Sequence, residues 1–143
     1  KFKAKVHVTN YTYGYDTILN STSTINRLKL EGNAISFGGS WNGKIKNFKI
    51  NADASVTPGS GRLSGNYFKG EAIFSKDSVF DVRGSVLLSS KSPNFNTLLH
   101  QSKYDDYNWQ NNFSNVNTRD LGFSIRSKWI NADVNFTNID NYT

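Results

Sequence analysis

The sequence predicts an all-β domain: a single antiparallel barrel or meander of roughly eight strands with one long loop. Three observations carry this. Apolar and polar residues alternate over long runs, the period-2 pattern of a strand with one apolar face. Good helix formers are scarce, with only two glutamates and no methionine, while aromatics make up 14% of the 143 residues, a balance that favours strands. Turn-forming clusters of Gly, Asn, Ser and Pro separate the alternating runs.

Taken in order, Phe2, Ala4, Val6 and Val8 alternate with Lys1, Lys3, Lys5 and His7, which predicts a strand over 2–13. Tyr13-Gly14-Tyr15-Asp16 ends it. Strands are expected over 23–31 and 34–41, with a break at Gly32-Asn33 and turn signals at Gly38-Gly39-Ser40. Asn42-Gly43 is a favoured hairpin dipeptide, so the next strand is placed at 44–57, where Phe48, Ile50, Ala52, Ala54 and Val56 alternate with polar residues. Pro58-Gly59 centres a turn before a strand over 62–75, in which the adjacent Tyr67 and Phe68 suggest a second break. Ser75-Lys76-Asp77-Ser78 leads into 78–90, where Phe80, Val82, Val86 and Leu88 share a face. Ser92–Asp120 alternates poorly and reads as one or two weak strands in a long loop, the kind of segment that often carries function. Leu121, Phe123 and Ile125 then pass through a parity shift near Trp129-Ile130 into Ala132, Val134 and Phe136. Two runs hold register for about nine residues, longer than the average strand, which suggests the coiled strands of a barrel. Asn33-Ala34, Asn51-Ala52 and Asn131-Ala132 recur beside alternating runs, so a β-solenoid segment is the alternative architecture.

Composition excludes much. With no cysteine, there is no disulfide framework, thiol nucleophile or Cys-ligated metal. His7 and His100 are the only histidines and lie far apart in sequence. No nucleophile elbow, P-loop or dinucleotide-binding fingerprint occurs, so a non-enzymatic protein is expected. The charge of +6 permits an anionic partner. A basic stripe is not expected, because in one continuous strand Lys44 and Lys46 share a face while Lys49 takes the other. Nucleic acid is therefore not expected as a partner. Asp105-Asp106 reads as solvated loop charge.

The candidate ligand-binding residues lie in the long loop: His100, Tyr104, Tyr107 and Trp109, with Phe113 beside them. Tyr and Trp supply rigid contact area for recognition, and they serve equally to plug one end of a barrel. An axial histidine with aromatic walls is enough for a haem pocket, so haem is a possible cofactor through His100. His7, alternating with Val6 and Val8, belongs on the polar face.

Gly39-Ser40-Trp41-Asn42-Gly43-Lys44-Ile45, then Phe48–Asp53, Gly61-Arg62-Leu63-Ser64-Gly65-Asn66 and Phe80–Val86 resemble the eight-stranded barrel of transferrin-binding-protein-B-like surface proteins of Gram-negative bacteria, a group that includes the hemophilins. The resemblance covers about 50 residues and lacks that family's Gly-Phe-Tyr-Gly-Pro turn. Leu28–Ala34 with Trp41-Asn42-Gly43 is similar to autotransporter passenger domains. No site residues carry over from either.

The leading expectation is a single domain over 1–143, a mature chain or a fragment of a larger exported protein. It would act as a non-enzymatic binding domain, secreted or on the outer-membrane surface of a bacterium, recognising a host protein or a small ligand such as haem. The alternatives are a structural solenoid segment of an adhesin or autotransporter, and a small outer-membrane β-barrel. Against the last stands the reading that several strand segments lack a continuous outward apolar band.

Overall fold

Seven strands form one antiparallel sheet whose order follows the chain. The computed structural model describes residues 1–15, 28–59, 61–76, 79–102, 104 and 107–142. The strands are β1 (Phe2–Gly14), β2 (Lys29–Ile45), β3 (Phe48–Thr57), β4 (Gly65–Lys76), β5 (Phe80–Lys91), β8 (Val116–Ser127) and β9 (Asn131–Asp140). Between β5 and β8 lie a single helical turn, α1 (Phe95–Leu98), and a two-stranded ladder of β6 (Leu99–His100) and β7 (Trp109–Gln110). The sheet order is β1-β2-β3-β4-β5-β8-β9, and β1 and β9 are its edges.

This is the antiparallel meander expected from the alternation, and the sheet is open rather than closed. The solenoid alternative does not describe it, because every pairing is antiparallel and the seven strands are 10 to 17 residues long. The expected break at Gly32-Asn33 does not occur: β2 runs through it, paired to β1 from Lys29 to Trp41. Tyr67-Phe68 does not interrupt β4 either. The parity shift at Trp129-Ile130 is a hairpin turn between β8 and β9.

The β2–β3 turn also falls elsewhere than expected. Asn42-Gly43 lies inside β2, and Lys46-Asn47 forms the turn, with Lys46 at φ 51° and Ile45 opposite Phe48. A turn at Asn42-Gly43 puts Ile45 on the polar face and Lys44 on the apolar one. Turning four residues later keeps Ile45 with Phe48 and adds the pairs Gly43–Ile50 and Trp41–Ala52. Side-chain sorting over the whole strand outweighs the preference of one dipeptide.

Residues directly opposite each other share a face, so the register sorts the sheet into two surfaces. One is apolar. Phe2, Trp41, Ala52, Gly70, Val86, Leu121 and Phe136 form one unbroken row across all seven strands. The next row, from Gly43 through Ile50, Ala72, Gly84 and Phe123 to Val134, is equally free of charge. These residues face outward: Phe123 is 53% exposed and Val134 66%. The opposite face carries Lys5, His7, Ser36, Asp53, Glu71, Arg83, Asp120 and Asp133. The buried hydrophobic cluster among the described residues is small and lies on that polar side, where Leu30, Leu98 and Leu99 meet Tyr13 and Phe95.

Candidate functional site

The sheet's two ends differ in their connections. The β2–β3, β4–β5 and β8–β9 turns are short, spanning 46–47, 77–79 and 128–130. The other end carries 15–28, 58–64 and the long segment 92–115.

The apolar band slants across the hydrogen-bonded rows. On β1 it reaches up to Val8, opposite Ile35. On β9 it reaches only to Phe136, whose row traces back to Phe2. The edge thus drops by about one residue per strand; with a rise of about 3.3 Å and a strand spacing of about 4.8 Å, a level band requires strands tilted by about 35°. On β3 the band runs from Phe48 to Val56; at that tilt it is about 22 Å tall, against the roughly 25 Å apolar belt of membrane barrels. The Phe48 and Phe74 rings pack at a tilt, with centroids 4.8 Å apart, near the short-turn edge, and Trp129 lies exposed in the β8–β9 turn. Once the register is known, the sequence-level objection that the outward band is discontinuous no longer holds.

The long segment folds back over the polar face. It leaves β5 at Lys91, yet the Phe95 ring packs 5.3 Å from Tyr11 and 5.6 Å from Tyr13, both on β1. In the sheet β1 and β5 are separated by β2, β3 and β4. The polar face is therefore the concave one, and the loop crosses it. Tyr13 stands opposite Leu30, and Leu30, Leu98 and Leu99 are 3%, 1% and 0% exposed. These leucines seat the loop on the β1–β2 wall. Gly32 makes room, since a Cβ there lies 2.8 Å from the Tyr11 hydroxyl.

Polar contacts hold the loop in shape. The Asn111 amide N–H donates to the Leu98 carbonyl at 2.8 Å, and its side-chain amide donates to the Thr97 carbonyl at 3.0 Å. Trp109 Nε1 donates to the Asn96 carbonyl at 3.1 Å. At the loop's exit, Asn115 Nδ2 donates to the Ser64 carbonyl and to Ser90 Oγ, at 2.9 and 3.2 Å. A cleft of about 370 Å³ remains between the loop's first residues and β3–β5, lined in part by Ser55, Thr57, Tyr67, Lys91 and Phe95.

The candidate residues separate into two pairs. His100 and Trp109 stand opposite each other in the β6–β7 ladder, which places their rings on one side, stacked at 4.5 Å. His100 Nδ1 lies 2.9 Å from the Tyr15 hydroxyl, which is 3.0 Å from that of Tyr13. Hydrogen bonding to Tyr13, then burial, then the charge Tyr13 would carry, push the Tyr15 hydroxyl up to about 12 from its ordinary 10. The other pair, Tyr104 and Tyr107, meets edge to face at 6.3 Å on the exposed part of the loop. Phe113 joins Trp109 and Tyr142 around a separate cleft. His7 lies on the polar face opposite Ser36, away from His100. Asp105-Asp106 lies outside the described residues. No group of three His, Cys, Asp or Glu residues positioned for a metal occurs among the described residues.

Sequence reasoning missed Tyr11, Tyr13 and Tyr15. Their two-residue spacing continues the parity of Lys5 and His7, a readable sign of an aromatic patch at the end of the polar face. It also misplaced Lys49, which stands directly opposite Lys44 on the polar face because the chain turns between them.

An outward apolar belt, a charged concave face and a loop folded over that face define the class: an open antiparallel β-sheet with one apolar and one polar surface. The chain belongs to the family described as "Putative porin", which matches over residues 1–143. That finding gives no support to the resemblance to transferrin-binding-protein-B-like proteins or to autotransporter passengers. The cadence behind the first comes from β2, β3, the turn before β4 and the first half of β5, strands whose apolar residues here face out. No curated protein and no solved structure matches the chain significantly.

Proposed function

We propose that these seven strands form part of the wall of an outer-membrane pore, with the apolar face against lipid and the concave polar face lining a water-filled lumen. The slanted, unbroken, charge-free band carries this reading. In water, so large an exposed apolar surface is a liability; in a bilayer it is the required outer surface of a tilted barrel wall. Within the band the strands turn their apolar residues outward, the short turns lie at one end and the long loops at the other, as in such barrels. The protein is then a non-catalytic conduit.

Hydrocarbon tolerates no unpaired strand edge, so β1 and β9 are paired in the membrane, and the ring is larger than these seven strands. The segment 92–115 lies across the lumen and narrows it. Tyr104 and Tyr107 sit where solutes enter, and His100 and Trp109 brace the loop from within.

The test is reconstitution of the purified protein into planar lipid bilayers. Stepwise conductance is expected, together with a detergent requirement for solubility. A protein that stays soluble and monodisperse without detergent and gives no conductance overturns the reading.

A further inference from the structure

We propose that the β1–β4 part of the concave wall is an anion track, which makes the pore favour small inorganic anions over cations; this rests on the pore reading above. The two halves of the wall carry different charge. On β1–β4 the concave face presents Lys3, Lys5, Lys44, Lys49 and Lys69 against Asp53 and Glu71. On β5–β9 it presents Arg83, Lys91 and Arg126 against Asp81, Asp120 and Asp133, a balanced set. The basic half loses little of its charge to pairing. Asp53 holds Lys5 at 2.9 Å, and Glu71 is engaged from the other half, by Arg83 at 3.3 Å. Among the described residues no ion pair engages Lys3, Lys44 or Lys49.

Lys44 and Lys49 are the telling pair. They stand directly opposite each other on adjacent strands, an arrangement that destabilises a sheet because like charges meet at close range. The neighbouring hairpin positions offer no relief, since Lys46 occupies the turn itself. A mobile anion in the lumen relieves the repulsion, and a line of such lysines passes it along the wall. A surface with an excess of one sign beside a low-dielectric barrier concentrates counter-ions.

The experiment is the reversal potential of the reconstituted protein under a potassium chloride gradient, at ionic strength low enough that the Debye length stays near 10 Å. The expected result is a reversal potential of the sign set by chloride, and a chloride-to-potassium preference that falls by roughly threefold or more in the Lys44→Glu/Lys49→Glu double variant. Lys46→Glu, at the turn, leaves it nearly unchanged. Lys44→Ser removes the like-charge contact, so it raises thermal stability while it lowers anion preference. That combination tells a selectivity role from a structural one and remains readable should the glutamate variant fail to fold. Conductance that is cation-selective, or a preference unmoved in both Lys44 variants, overturns the anion track and leaves the pore intact. Absence of conductance in the unaltered protein overturns the pore reading and the track with it.

Discussion

The Tyr15 hydroxyl lies 2.9 Å from His100 Nδ1 although 85 residues separate them in the chain. This contact ties the tip of the folded-in loop to the end of β1. It belongs to a chain of groups, with Tyr13 3.0 Å beyond Tyr15 and Trp109 stacked on the far side of the connection against His100. Tyr15→Phe removes the phenol's part in both hydrogen bonds and keeps the ring. Backbone amides of β6 and β7 are expected to exchange faster in that variant, by the roughly 0.5–1.5 kcal/mol that one neutral hydrogen bond contributes. Exchange rates equal to those of the unaltered protein show that the leucines alone hold the loop.

The same phenol makes the anchor sensitive to alkali. Its value in the folded protein, about 12, lies above the ordinary 10. A raised value means the neutral phenol is favoured by folding. The contribution is therefore complete below pH 10 and is lost as pH rises from 10 to 12. Tyrosinate absorbance should show one late step near 12, and Tyr13→Phe should bring that step back toward 10. A titration with no late step contradicts the Tyr13–Tyr15 contact.

Leu99 tests whether the loop narrows the lumen. It is fully buried beside Leu98 against the β1–β2 wall, and truncation of such a leucine costs about 2–5 kcal/mol. The loop rests on these few contacts, whereas the sheet rests on ladders of up to 13 residue pairs. Leu99→Ala should therefore release the loop before it affects the sheet. The expected result is higher single-channel conductance with strand content unchanged by circular dichroism. Unaltered conductance alongside faster proteolysis of 92–115 places the loop outside the current path.

The strands were legible because their pattern is local. Phe2 to Val8 and Phe80 to Leu88 each show their face within one run. What the sequence hid depends on pairing between strands. Asn42-Gly43 read as a turn and Lys44 as the start of a new strand, and only the opposition of Ile45 and Phe48 shows that β2 continues. That one displacement moved Lys49 to the face of Lys44 and concealed the basic half of the wall. The band was hidden likewise, because no strand reveals how far its neighbour is offset. Of the candidate residues, His100 and Trp109 were found from their loop context, but their partner Tyr15 lies 85 residues away, beyond any spacing rule.

Phe123 separates lipid from protein as the neighbour of the apolar face. It sits near the middle of the band, between Gly84 and Val134. Beneath a second protein layer, Phe123→Ala leaves a cavity and costs about 3–5 kcal/mol. Against lipid, acyl chains fill the space and are as apolar as the side chain they replace, so the cost should be nearer to about 1 kcal/mol. Phe123→Arg at mid-membrane should cost about 2–4 kcal/mol, whereas Ser124→Arg, one residue on and facing the lumen, where Asp133 on one side offsets Arg83 on the other, should cost close to nothing. Urea unfolding of the three variants in lipid vesicles measures all of these together. A large penalty for alanine means that protein, not lipid, covers the face. A penalty for arginine at 124 as large as at 123 means that the concave side is not open to water.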